Sequence, residues 1–268
     1  MNQVISADGT RIGFERRGSG SPLVLVHGGT VDHTCWAAVM PALAEHFTVY
    51  AMDRRGCGLS GDAESYALER EFEDVVAVVD DIGGPVDLLG HSFGAVCALE
   101  AARRTPNIRR LVIYEPPPTG VAGYFPPDAV ARTKEVLATG DRDGALSTFY
   151  LEVCEMPPAE LEAERSRPDW PGHVAAVHAI VREMHALEAY PPFDPADYAS
   201  LRPPTLFLVG GDCPERCEVS PVLAPAMPDS RIVVMPGQQH MAMETAPDLF
   251  VREVLAFLLD PMTSADAH

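Results

Sequence analysis

Six short apolar runs punctuate the 268-residue chain: PLVLV at 22–26, TVYAM at 48–52, VDLLG at 86–90, RLVIY at 110–114, TLFLV at 205–209 and RIVVM at 231–235. Each is too short for a buried helix and is bounded by turn residues. Several are followed by stretches of helical spacing, such as 66–82, where Leu68, Phe72, Val75, Val76 and Val79 share one face. Strands alternating with helices predict an α/β fold, a mostly parallel sheet with helices on both faces. Further helices are expected at 35–45, 93–104, 218–226 and 246–259, the last with Thr245, Pro247 and Asp248 as its start signal. Residues 3–16 differ. Asp8-Gly9 accepts the backbone of a tight turn, so this segment reads as an antiparallel hairpin. Between 117 and 202 the strand rhythm stops, and helices are expected amid the breaks EMPP, RPDWPG and YPPFDP. The expected organisation is a core from 1–116 and 203–268 with an insertion at 117–202.

Composition narrows the functional classes. Twenty basic residues against 39 acidic ones give a net charge of −19, which repels phosphate backbones and anionic lipid and argues against a nucleic-acid partner. No apolar run approaches the roughly 20 residues of a membrane helix. MNQVISADGT lacks the basic and apolar regions of a secretion signal, so a cytoplasmic location is expected. The six cysteines are scattered. The one close pair, Cys213 and Cys217, has no second pair or neighbouring histidine to complete a metal site.

Gly90-His91-Ser92-Phe93-Gly94 is G-x-S-x-G between an expected strand and an expected helix. A serine at such a turn projects its hydroxyl above the sheet edge, and the crowded backbone on either side calls for glycine. Ser92 is therefore the candidate nucleophile. An acyl-transfer reaction also needs fixed N–H donors for the oxygen that becomes negative. His27-Gly28-Gly29 after the first long strand, and the residue after the serine, supply candidates in the amides of Gly29 and Phe93. Serine needs a base poised near neutrality. His240, in PGQQHMAME after the last strand, follows a strand at the same sheet edge. A carboxylate must orient it. Asp212 after TLFLVGG is the first choice; Glu115 after RLVIY is the second.

Taken together, HGG, DRRGCGLS at 53–60, GHSFG, the insertion, Asp212 and His240 resemble the α/β-hydrolase superfamily over nearly the whole chain. The resemblance implies a mainly parallel eight-stranded sheet, a helical cap between strands six and seven, and a Ser92, Asp212, His240 triad. Asp53 and Arg54 of the second motif are read as structural. In many relatives the acid is the D of G-x-x-D after strand seven; from Gly210 that spacing falls on Cys213, one residue beyond Asp212. Some members place the acid after strand six, where Glu115 stands.

Similar epoxide hydrolases and haloalkane dehalogenases use aspartate at the elbow, and hydroxynitrile lyases of this fold use a lysine beside the triad. Ser92 disfavours the first two; Lys134, the only lysine, lies in the insertion and disfavours the third. The expected activity is hydrolysis of an ester or related acyl bond in a small-to-medium, partly apolar molecule through an acyl-enzyme, without metal or cofactor. Alternatives are a C–C hydrolase of β-diketone type and a catalytically silent binding protein. His91, Trp36, Tyr150 and Trp170 are the candidate substrate contacts.

Overall fold

The computed structural model describes residues 2–212 and 218–261, so Cys213 and Cys217 lie outside the described residues. Along the chain the elements are β1 (Asn2–Ile5), β2 (Arg11–Arg17), β3 (Ser21–Val26), α1 (Met40–Ala44), β4 (Phe47–Met52), α2 (Leu68–Ile82), β5 (Val86–His91), α3 (Phe93–Ala102) and β6 (Ile108–Tyr114). Then follow α4 (Pro127–Ala138), α5 (Arg142–Glu152), α6 (Pro158–Arg165), α7 (Trp170–Ala189), β7 (Thr205–Gly210), α8 (Val219–Leu223), β8 (Ser230–Met235), α9 (Ala242–Thr245) and α10 (Pro247–Leu258).

The eight strands form one sheet in the order β1-β2-β4-β3-β5-β6-β7-β8. The β1–β2 and β2–β4 pairs are antiparallel and all others parallel. The hairpin turns at Gly9, whose φ of 88° is open to glycine at little cost. β3, β5, β6 and β7 are buried along nearly their whole length, which explains why their sequences are apolar without alternation. Leu88 and Ile113 pack with α2 and α3 on one face, while Leu25, Leu89 and Leu208 pack with α1 and α10 on the other. Because the central strands are parallel, the residues just after β3, β5, β6, β7 and β8 emerge at one edge. This places the site.

The helical stretches differ from expectation where proline or backbone geometry intervenes. The expected helix at 35–45 is a 3-10 turn at His33–Trp36 followed by the short α1, because Pro41 has no N–H with which to continue the earlier turn. The stretch 218–226 is likewise split into α8 and a 3-10 turn at Ala224–Ala226. Thr245 does not cap the last helix. It ends α9, its hydroxyl donating to Gln238 Oε1 and the Met241 carbonyl, while Ala246 precedes α10 with Pro247 in the first turn.

Residues 117–202 hold α4 to α7 and no strand. Val130, Leu146, Phe149, Trp170, Val177 and Met184 form a separate apolar cluster there. Helix α7 binds this insertion to the core: Arg182 pairs with Asp62 at 2.8 Å, and Ile180 lies over Gly29. No helix among the described residues is long and apolar enough to cross a membrane.

Candidate active site

Ser92 stands between β5 and α3 with φ 54° and ψ −121°, a conformation costly for a residue with a Cβ. The two motif glycines permit it. A Cβ at Gly94 would lie 2.3 Å from the Val26 carbonyl oxygen, and one at Gly90 2.4 Å from the Gly94 carbonyl oxygen. The Ser92 amide is held by the Tyr114 carbonyl at 2.8 Å. Three of the four non-glycine residues with positive φ among the described residues, Thr30, Ser92 and Glu115, lie just after parallel strands at this edge. Such clustering of backbone strain is itself a functional signal, and one that sequence does not carry.

The loop after β3 approaches the serine from the side: a Cβ added at Gly28 would stand 3.1 Å from Ser92 Cβ. The next peptide presents the Gly29 amide, and Phe93 presents its own amide at the start of α3; neither donates to a protein acceptor among the described residues. His27 is fully buried, and desolvation pushes its imidazole well below the ordinary histidine range, so it is neutral. Its tautomer follows from its partners. The Arg54 amide donates to Nε2 at 3.0 Å, which leaves the proton on Nδ1 to donate to the Gly28 carbonyl at 2.8 Å.

His240 is carried by the loop between β8 and α9, and several bonds pin that loop. Tyr114 Oη donates to the Gln239 carbonyl and accepts from the Ala242 amide. The Asp212 amide donates to the Gln238 carbonyl at 3.0 Å, and His91 Nε2 donates to the His240 carbonyl at 2.8 Å. The His91 and His240 rings are 4.6 Å apart between centroids, which sets His240 beside the residue preceding Ser92.

The partner of the imidazole reverses the order of choice made from sequence. Glu115, not Asp212, meets His240: Glu115 Oε2 is 2.5 Å from His240 Nδ1, and Glu115 Oε1 accepts from the Gly210 amide at 2.7 Å. Glu115 is 1 % exposed, whereas Asp212 is exposed and its carboxylate makes no hydrogen bond among the described residues. A short side chain one residue past the Gly210-Gly211 turn points to solvent; a glutamate after β6, with φ 46°, reaches across β7 to the histidine loop. With Nδ1 turned to a carboxylate, Nε2 is the ring atom left for a reacting group. Ser92 Oγ makes no hydrogen bond among the described residues, and catalytic contacts of this kind often tighten only with substrate.

The four candidate substrate contacts separate. His91 is buried and spends its Nε2 on the His240 carbonyl, so it supports the loop. Trp36 is fully buried, edge-on to His91 and tilted against Phe250, and packs the core instead of lining a cleft. Tyr150 and Trp170 come from the insertion, with ring centroids 6.1 Å apart. Tyr150 Oη is 3.2 Å from Thr30 Oγ1 in the loop after β3, and Trp170 Nε1 donates to Asp143 at 2.7 Å. Sequence reasoning passed over Tyr114 and Glu183, whose parts depend on contacts more than 120 residues away.

The described residues hold one cluster with metal-ligand spacing, Asp32, His33 and Asp53. Both Asp53 oxygens and Asp32 Oδ1 are already engaged. Asp53 accepts from the His33 and Leu59 amides at 2.7 Å each and from His33 Nδ1, and Asp32 Oδ1 accepts from Thr34. These bonds tie the loop after β3 to the loop after β4.

A serine at a strained strand-to-helix turn, an imidazole backed by a buried carboxylate and a glycine loop beside them, all at one edge of this sheet, define a class of hydrolase architecture. A sequence profile of the Alpha/beta hydrolase family matches residues 23–253, and the chain belongs to that family. It is 38 % identical to an alpha/beta hydrolase of known structure from Sphaerobacter thermophilus, with a TM-score of 0.82 over 96 % of this chain and all of that one. Among curated proteins it is 37 % identical over 121 residues to N-formylmaleamate deformylase of Pseudomonas putida, a match covering 43 % of this chain and 45 % of the relative. It is also 24 % identical to 2-(acetamidomethylene)succinate hydrolase of Mesorhizobium japonicum over 92 % and 91 % of the two chains. The chain spans between about a fifth and a half of the length of several curated relatives it matches.

Proposed function

We propose that this protein is a serine hydrolase that cleaves an ester or related acyl bond of a small-to-medium, partly apolar molecule. The observation that carries the proposal is Ser92, held at φ 54° on the sheet edge that also carries the His240–Glu115 pair with its 2.5 Å hydrogen bond. In the first half-reaction Ser92 Oγ bonds to the acyl carbon and passes its proton to His240 Nε2. The amides of Gly29 and Phe93 receive the developing oxyanion. Glu115 holds the Nδ1–H tautomer and stabilises the imidazolium. The bond to the leaving group breaks as that group takes the proton from Nε2. Water then gives a proton to Nε2 as its oxygen attacks the acyl carbon, and Ser92 recovers the proton as the carboxylic acid leaves. Each fixed N–H donor in such a site is worth about 3 to 4 kcal/mol of barrier.

The relatives support acyl chemistry, in that their names describe a deformylase and an amide-bearing succinate hydrolase. The helical insertion over Gly29 is read as the cap that shapes the pocket, with Tyr150 and Trp170 on its inner side. The test is covalent labelling by a fluorophosphonate together with turnover of p-nitrophenyl esters of graded acyl length, a β-diketone being included. Labelling lost in Ser92→Ala and His240→Ala is expected. An unlabelled wild-type protein without turnover would overturn the proposal.

A further inference from the structure

Arg54 occupies an unusual position for a charged group. It is 1 % exposed, and its partners are the equally buried Glu71 and Glu183. Nη1 lies 3.3 Å from Glu71 Oε1; Nη2 lies 2.9 Å from Glu183 Oε1 and donates to the Gly28 carbonyl at 3.1 Å. The guanidinium carbon is 4.2 Å from the centre of the Phe93 ring. Arg54 therefore touches both candidate oxyanion residues, the peptide that carries the Gly29 N–H and the side chain of Phe93.

The peptide geometry makes the first contact consequential. The Gly28 carbonyl and the Gly29 N–H belong to one trans peptide unit and point in opposite directions. Two donors, Arg54 Nη2 and His27 Nδ1, converge on that carbonyl, which fixes the peptide plane and directs the N–H to the other side of the loop. Withdrawing charge through the carbonyl also strengthens the N–H as a donor. A glycine pair has no side chain to hold this orientation, so the guanidinium does.

Stability alone does not account for the cluster. Two carboxyl groups crowd one guanidinium in a dry interior, and Glu71 Oε2 and Glu183 Oε2 have no hydrogen-bond partner among the described residues. Burial pushes the Glu71 carboxyl up to about 7, against the pull of Arg54. Such buried ionic groups are commonly neutral or costly for stability relative to apolar packing. Glu183 adds a link in space: it belongs to α7 of the insertion, and its Oε2 lies 3.6 Å from where a Gly29 Cβ would be.

We infer that Arg54 is a positioning residue that aims the Gly29 amide at the reacting oxygen, and that Glu183 couples its placement to the seating of the helical insertion. The inference rests on the serine-hydrolase reading. A complex in which the insertion is displaced would lose the Glu183 bond first, and with it the donor geometry.

The experiment measures steady-state hydrolysis of p-nitrophenyl butyrate and inhibition by butaneboronic acid, which forms a tetrahedral adduct on a serine, for wild type, Arg54→Met and Glu183→Gln. Folding is checked by circular dichroism and thermal melting. A misplaced donor acts on the transition state, so Arg54→Met is expected to lower kcat by about 10- to 100-fold, move KM by less than about 3-fold, and weaken the boronate by a factor similar to that on kcat. Glu183→Gln, which keeps an acceptor for Arg54 but not the charge, is expected to show the same pattern with a loss of about 3- to 10-fold. If Arg54→Met does not fold, Glu183→Gln carries the test. A folded variant that alters KM alone, or leaves boronate affinity unchanged, would overturn the inference. Wild-type protein with neither turnover nor boronate binding would instead overturn the serine-hydrolase reading.

Discussion

Replacing Glu115 by glutamine changes one atom of the His240 contact and almost nothing else. Glu115 Oε1, which accepts from the Gly210 amide at 2.7 Å, has an equivalent in the amide oxygen, so the buried side chain can stay where it is. The other position, 2.5 Å from His240 Nδ1, becomes an NH2 group. Two N–H donors cannot face each other at that distance. The imidazole must turn its lone pair to Nδ1 and carry its proton on Nε2, the atom that has to accept the proton of Ser92. The base is then unavailable in the resting enzyme. Loss of the correct tautomer in triads of this type costs about 10⁴ in kcat, or about 5 kcal/mol of barrier. The assay is kcat/KM for a p-nitrophenyl ester between pH 6 and 9, with fluorophosphonate labelling rates as a second measure. Asp212→Asn serves as the comparison, because the Asp212 carboxylate is exposed and unbonded among the described residues. Its kcat/KM is expected to stay within about 3-fold of wild type. A large loss in Asp212→Asn with near-normal Glu115→Gln would refute the assignment of the acid.

Two further outcomes concern stability. Ser92→Gly removes a side chain from a backbone that disfavours one; relief of about 1 to 3 kcal/mol of strain, less the entropy lost by glycine, leaves a net gain of about 1 kcal/mol in unfolding free energy while activity disappears. Urea titration of the two proteins checks this, and a less stable glycine variant contradicts the strain argument. For Glu71, the folded pKa is raised from 4.5 to about 7, so the native state holds a proton that the unfolded chain releases. Its contribution is fully present below about pH 4.5 and is lost as pH rises through 7, by up to about 3 kcal/mol. Glu71→Gln should flatten that part of the pH–stability curve, and a curve parallel to wild type between pH 5 and 8 would show that Glu71 does not titrate there.

Much of the architecture was legible in local pattern. Runs such as PLVLV and TLFLV are buried on both sides, which only a covered parallel sheet permits, and parallel strands bring their following loops to one edge. That geometry, joined to the serine motif, singled out Ser92, His240 and two carboxylates. The glycines of G-x-S-x-G were equally informative, since a methyl group at Gly94 would overlap the Val26 carbonyl. Where local rules misplaced an element, as at 35–45, a proline had cut the hydrogen-bond ladder.

The choice between Asp212 and Glu115 lay beyond such rules. Both end strands at the correct edge, and strand order says nothing about which side chain spans β7 to reach a loop more than a hundred residues downstream. That was decided by the backbone of Glu115 in the left-handed region, by the Gly210 amide that holds its other oxygen, and by Tyr114 and His91 pinning the histidine loop. The Arg54–Glu183 contact, 129 residues apart in the chain, was equally invisible in sequence. Periodicity and turn chemistry are local and survive in one dimension, whereas the pairing of buried polar groups is settled only when tertiary packing excludes water and leaves each donor a single acceptor within reach.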